Sequence, residues 1–201
     1  MSLPEDLETI VLGLHSIGAV RFGEFQLKSG LISPIYIDLR LVPSRPSLLR
    51  KVARSLSRAA SGLRFDRIAA IPYGGLPIGV ALSLEMDKPL IYPRGEVKRH
   101  GTRRAVEGMY QPGDTVLVVD DLISTGDSKI EAIEPLLSEG LQVQDILVLI
   151  DRQQGGKQLL AESGYTLHAL LSLPDVLGVL AHHGKATGAQ LERVHQYLRG
   201  E

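Results

Sequence analysis

The chain contains no cysteine. Disulfides, thiolate metal ligands and a cysteine nucleophile are therefore excluded. The missing thiols do not decide the compartment, and a cytoplasmic protein is the simpler reading. Aromatic residues make up only 4% of the sequence, so any core has to be built from Leu, Ile, Val and Ala. No apolar run approaches the roughly 20 residues that a membrane span needs, so no membrane partner is expected. The opening Met1-Ser2-Leu3-Pro4-Glu5-Asp6 has neither a basic n-region nor an apolar h-region, and no secretory signal is expected. There is no excess of one charge either. A formal net charge of −1 argues against a chain that binds nucleic acid with its whole surface. Any basic site has to be local.

What is present suits one α/β domain with a small elaboration: 201 residues, 44% hydrophobic and 22% charged. Ser2-x-x-Glu5 with Pro4 reads as a capping box, followed by Leu7, Ile10, Val11, Leu14 and Ile17 at helical spacing, with Gly18 as the stop. Residues 20–28 and 35–39 alternate as strands around the turn signal Lys28-Ser29-Gly30. Ser44-Arg45-Pro46 starts a helix that runs to about Ala60. Strands are then expected at 67–71, 89–92, 116–119, 146–150 and 166–171. Helices are expected at 76–85, about 128–138 and 156–163, and two short helices close the chain. The runs Val116-Leu117-Val118-Val119 and Ile146-Leu147-Val148-Leu149-Ile150 are apolar at every position, as strands covered on both faces are. The pattern predicts a doubly wound parallel sheet in a single domain, residues 1–201. A small N-terminal cap, residues 1–45, is joined by the C-terminal segment.

The densest chemistry follows the first of those strands: Asp120-Asp121-Leu122-Ile123-Ser124-Thr125-Gly126-Asp127-Ser128. In open α/β sheets, ligands gather at the carboxyl ends of the strands. A buried strand here delivers two carboxylates to that edge. A Ser/Thr/Gly loop then enters a helix N-terminus, where successive backbone N–H groups and the helix dipole cradle an anion. Carboxylates beside an anion site imply a second bound group, either sugar hydroxyls or Mg²⁺. Taken singly, Ser124 or Thr125 is a helix cap and each aspartate a turn former. The order of the whole run is what carries the signal. It resembles the signature of the type I phosphoribosyltransferases. The resemblance implies that Asp120 and Asp121 hold the ribose 2′- and 3′-hydroxyls of phosphoribosyl pyrophosphate, and that Ser124, Thr125, Gly126, Asp127 and Ser128 hold its 5′-phosphate. Asp127 departs from the usual Thr, Ser or Gly. Its side chain is expected to turn to solvent while its N–H still donates.

Four further segments resemble orotate phosphoribosyltransferase, including the transferase half of UMP synthase, over about residues 21–180. In Phe25-Gln26-Leu27-Lys28-Ser29-Gly30-Leu31-Ile32-Ser33-Pro34-Ile35-Tyr36-Ile37-Asp38, Lys28 and Tyr36 match residues that lie against orotate, and Ile37 replaces a frequent aromatic. Ile71-Pro72-Tyr73-Gly74-Gly75 resembles the pyrophosphate loop, with Gly74 where many bacterial members have lysine; a cis Pro72–Tyr73 peptide is implied. Residues 94–104 hold five Arg/Lys against one Glu and lack apolar periodicity, so a mobile loop is expected. They resemble the catalytic loop: Arg94, Lys98, His100 and Gly101 match, while Gly95 replaces a second lysine. Asp151-Arg152 matches the position of an arginine near the orotate carboxylate, which its fork can bind through two oxygens.

The resemblance implies transfer of phosphoribose to orotate in pyrimidine biosynthesis. Lys98, His100, Asp120 and Asp121 are then catalytic. Tyr73 and Arg94 join Lys98, His100, the acidic pair and the loop 124–128 on phosphoribosyl pyrophosphate. Lys28, Tyr36, Ser124 and Arg152 hold orotate. Mg²⁺ is the implied cofactor, held mainly through the substrate and not by a protein metal site. A homodimer with shared active sites is implied, because the catalytic loop reaches the neighbouring subunit in this family. The chain has no Asp-x-Lys-x-x-Asp motif, so only the transferase step is expected. Two other readings stay open: a phosphoribosyltransferase for another base, and a silent regulator that binds phosphoribosyl pyrophosphate. The latter gains its support from the glycines at 74 and 95.

Overall fold

Pro4 is extended, with φ −54° and ψ 141°, and acts as the N-cap of the first helix, α1 (Glu5–Ser16). The N-cap position itself offers no side-chain cap, and the expected capping box rests on Ser2. The acidic Glu5, Asp6 and Glu8 support its first turn through the helix dipole instead. Ser2 lies outside the described residues: the computed structural model describes residues 3–26, 30, 32–94 and 105–199. Two strands follow, β1 (Val20–Gln26) and β2 (Ile32–Ile37), paired antiparallel with Val20 opposite Ile37 and an irregularity between Phe22 and Phe25. The second strand starts and stops earlier than the periodicity predicts. It ends because Asp38 caps a short 3-10 helix, Leu39–Ser44, by accepting the Arg40 N–H at 3.2 Å. The expected turn residues Lys28 and Ser29 lie outside the described residues. Helix α2 (Pro46–Ala60) has the predicted bounds.

The chain divides into two compact units, Met1–Lys51 with Leu171–Glu201, and Val52–Leu170. In the first, α1 buries Ile10, Val11 and Leu14, the face that the helical spacing predicts. It packs on α6 (Leu173–His182), while α7 (Gly188–Arg199) packs on β2. Helix α6 starts with a true capping box between Ser172 and Asp175.

The second unit is a mixed α/β layer around a mostly parallel sheet, in agreement with the predicted class. Its elements are β3 (Arg67–Ala70), α3 (Gly75–Met86), β4 (Leu90–Pro93), β5 (Val106–Glu107), β6 (Thr115–Ile123), α4 (Asp127–Ser138), β7 (Gln142–Asp151), α5 (Gly156–Glu162) and β8 (Thr166–Ser172). The sheet order is β5-β4-β3-β6-β7-β8. Strand β3 runs parallel to β4 and β6, and β6 parallel to β7. The antiparallel edge strand β5 was not predicted, because two residues are too short to show a period. Alternate residues of the central strands face opposite layers. Ala69, Ile91, Val116, Val118, Ile146 and Val148 share a core with Ile133 and Leu136 of α4. On the other face Gly79 lets α3 approach Ala70, because a β-carbon there would come within 2.5 Å of the Ala70 Cβ. Val116 to Val119 and Ile146 to Ile150 are at most 1% exposed, as strands covered on both sides have to be. Among the described residues no helix is long and apolar enough to cross a membrane.

Candidate active site

Three parallel strands end together. Ala70 of β3 stands opposite Val119 of β6, and Ile123 of β6 stands opposite Asp151 of β7. Ile71-Pro72-Tyr73, the acidic pair with its loop, and Arg152 therefore leave the sheet at one edge. Strand β6 is longer than predicted and carries Asp120 and Asp121 within the strand. The Pro72–Tyr73 peptide is cis, as the resemblance implies.

Asp120 is buried, and both of its oxygens are engaged. Oδ1 accepts the Asp121 N–H at 2.7 Å, and Oδ2 pairs with Lys129 Nζ at 2.6 Å. Asp121 is half-buried beside it. Burial, together with the negative charge of Asp120, pushes its carboxyl up to about 7. Gly74 closes over Asp121 so tightly that a β-carbon at 74 would collide with the carboxylate. That contact gives a physical reason for glycine at a position where the resembling family often has lysine.

The loop after β6 leads through Gly126, a left-handed N-cap at φ 99°, into α4. The N–H groups of Asp127 and Ser128 precede the first intrahelical bonds, which Lys129 and Ile130 donate to the Gly126 carbonyl. Asp127 is exposed, as expected for an acid beside an anion cradle. Gly156 lies against this loop: a β-carbon there would fall 2.6 Å from the Ser124 carbonyl. The Gly156 N–H donates to that carbonyl at 3.0 Å, and the Arg152 N–H donates to the Ile123 carbonyl at 2.9 Å. The turn after β7 is thereby bound to the end of β6 and the start of the loop that follows it, and half-buried Arg152 lies in that turn.

A cleft of about 470 Å³ opens beside the pair, lined by Pro72, Tyr73, Arg94, Asp120, Ser128 and Lys129 among others. Tyr73 is 81% exposed over it, an unusual state for an aromatic ring. The Arg94 guanidinium is held by Glu107, and the Arg94 backbone N–H donates to the Ala105 carbonyl at 2.9 Å, so that residues 94 and 105 are tied together where β4 and β5 meet. That segment, with Lys98 and His100, lies outside the described residues, as does Lys28. Tyr36 belongs to the first compact unit. Its ring is 5.3 Å from that of Phe25, Arg21 stands 5.3 Å above it, and Arg40 donates to its hydroxyl at 3.3 Å.

Sequence reasoning did not single out Lys129, Glu107 or Arg21. Only the cross-strand register of β4 and β5 marks Glu107, and nothing local marks Lys129. Among the described residues no three His, Cys, Asp or Glu side chains group to hold a metal. Two adjacent carboxylates beside an anion loop fit a sugar diol, with a divalent cation carried by a substrate's own oxygens.

The model of the phosphoribosyl transferase domain matches residues 44–166. The orotate phosphoribosyltransferase of Cenarchaeum symbiosum is 43% identical over 190 residues, which cover 92% of this chain and 95% of that protein. The uridine 5′-monophosphate synthase of Bos taurus is 41% identical over 195 residues. The match covers 96% of this chain but only 41% of the bovine protein's length. The solved structure of Leishmania donovani UMP synthase superposes with a TM-score of 0.90 at 43% identity, covering 98% of this chain and 43% of that one.

Proposed function

This chain belongs to the orotate phosphoribosyltransferase family, and we propose that it joins orotate to phosphoribosyl pyrophosphate, forming orotidine 5′-monophosphate and pyrophosphate. That product is the precursor of UMP, so the reaction is a step of pyrimidine biosynthesis. The observation that carries the reading is the convergence of Tyr73, Asp120, Asp121, the loop 124–128 and Arg152 on one edge of adjacent parallel strands.

Breaking the bond to pyrophosphate leaves positive charge on the ribose and negative charge on the leaving group. The site stabilises that separation by fixed charges and needs no covalent nucleophile. Asp120 and Asp121 accept the 2′- and 3′-hydroxyls and keep the ribose ring in place. Backbone N–H groups of Ser124 to Ser128, with the α4 dipole, take the 5′-phosphate. Tyr73, Arg94, Lys98 and His100 close on the pyrophosphate and exclude water. Arg94 exchanges Glu107 for pyrophosphate as it does so. Lys28, Tyr36, Ser124 and Arg152 orient orotate, with Arg152 on its carboxylate. When bound, Mg²⁺ offsets charge on the pyrophosphate and helps to bind the ribose hydroxyls.

The proposed assembly is a cytoplasmic homodimer in which segment 95–104 serves the partner's site. Residues 1–201 are proposed to act as a single transferase domain. The protein works without nucleic acid or membrane. Purified protein supplied with phosphoribosyl pyrophosphate, Mg²⁺ and each of orotate, uracil, hypoxanthine and adenine tests the reading. Orotate alone should be converted. Conversion of a different base, or binding of phosphoribosyl pyrophosphate with no product from any base, would refute it.

A further inference from the structure

Lys129 is a charged residue of this edge that the roles above leave unused. A lysine in the first turn of an exposed helix normally extends into water. Here the side chain is 9% exposed, and its ammonium meets Asp120 Oδ2 at 2.6 Å, where the Asp120 side chain is 6% exposed. A buried ion pair of this kind costs desolvation on both sides, so it is poor evidence for stability alone. Its position is more telling. Lys129 lines the same cleft as Tyr73, Arg94 and Asp120. Among the described residues, the charged and titratable groups that line the cleft are Tyr73, Arg94, Asp120, Lys129 and Glu131; Glu107 is bound to Arg94, and Asp121 adjoins Asp120. Two neighbouring carboxylates repel a polyanionic ligand. Position 74 supplies no balancing cation here, because it is a glycine packed against the Asp121 carboxylate.

We propose that Lys129 is a positioning residue of the transferase site: it fixes the Asp120 carboxylate in one orientation and balances one of the two charges that oppose an anionic substrate. The Asp121 N–H holds Oδ1 and Lys129 holds Oδ2, so the remaining lone pairs of Asp120 point in a set direction for the ribose diol. Lys129 also lowers the protonation tendency of Asp121, against its burial. The inference rests on the proposed activity only in assigning the diol to phosphoribosyl pyrophosphate.

The test measures affinity for phosphoribosyl pyrophosphate with Mg²⁺ by calorimetry, without any base, beside the pH dependence of kcat/KM with orotate. Lys129→Met should weaken binding roughly tenfold or more at neutral pH and move the acidic limb upward by about one pH unit. Lys129→Arg keeps the charge and should stay within about threefold of wild type in binding. In an Asp120→Asn background, Lys129→Met should add less than about twofold, because no carboxylate is left to orient. Lys129→Leu, which also removes the donor and the charge, replaces Lys129→Met with the same expected outcomes if that variant does not fold. Affinity and pH profile unchanged in folded Lys129→Met would overturn the inference. So would an equal loss in both backgrounds. If wild type binds phosphoribosyl pyrophosphate but rejects orotate, the proposed activity fails while the binding measurements still decide the role of Lys129.

Discussion

Gly74 and Asp121 exclude each other's freedom: the backbone of one lies where only a missing side chain leaves room for the carboxylate of the other. The loop 71–75 and the acidic pair therefore form one packed object. Gly74→Ala should push Asp121 out of place and lower kcat/KM for phosphoribosyl pyrophosphate roughly 10- to 100-fold, about 1.4–2.7 kcal/mol. The melting temperature should hardly move, since the change lies at the sheet edge. Kinetics equal to wild type would show that Asp121 has no fixed place against the loop.

Asp121 makes the site pH-dependent in a stated direction. Its carboxyl is raised from 3.8 to about 7, chiefly by burial. A raised carboxyl favours the folded state below 3.8, and that advantage is lost as pH climbs through about 7. Asp121→Asn should therefore melt higher than wild type at alkaline pH, with the difference shrinking in acid, while turnover is lost. The kcat/KM of wild type for phosphoribosyl pyrophosphate should fall on the acid side with a midpoint near 7, a value that belongs to the coupled pair.

Arg152 is proposed to meet a planar carboxylate. Arg152→Lys keeps the charge and loses the fork, so KM for orotate should rise roughly tenfold or more. Affinity for phosphoribosyl pyrophosphate should stay near wild type. Equal losses for both substrates would place Arg152 in the scaffold and not on orotate.

Shared sites predict complementation. Lys98→Ala and Asp121→Ala chains should each be nearly inactive, yet a mixture allowed to exchange subunits should regain activity, because one hybrid site holds both residues. No recovery after verified exchange would count against a loop that serves the partner.

Gly95 stands where the resembling family has a second lysine. The wild-type enzyme should be active without it. Gly95→Lys should lower KM for phosphoribosyl pyrophosphate or raise kcat, since one added cation at a leaving group is worth up to ~2.7–4 kcal/mol. A wild type that is inactive until this substitution is made would favour the silent-regulator reading.

Much of this protein is local in origin and could be read from order along the chain. The uninterrupted apolar runs 116–119 and 146–150 announce strands covered on both faces. The Asp-Asp pair followed by Ser-Thr-Gly announces an anion loop, because its cradle is made of consecutive backbone groups. Element type survived better than element bounds: β6 runs on through Asp120 and Asp121 to Ile123, and β2 begins at Ile32. What tertiary structure decided are the pairings between residues distant in sequence or hidden by helical geometry. Lys129 is an ordinary helix lysine by pattern, and only the packing of α4 on the sheet turns it onto Asp120. Glu107 reaches Arg94 only through the register of a two-residue edge strand. Glycine at 74 looks like a tight turn in one dimension. The reason for it is a carboxylate delivered by a different strand, and that contact exists only once the parallel register has brought the two strand ends together.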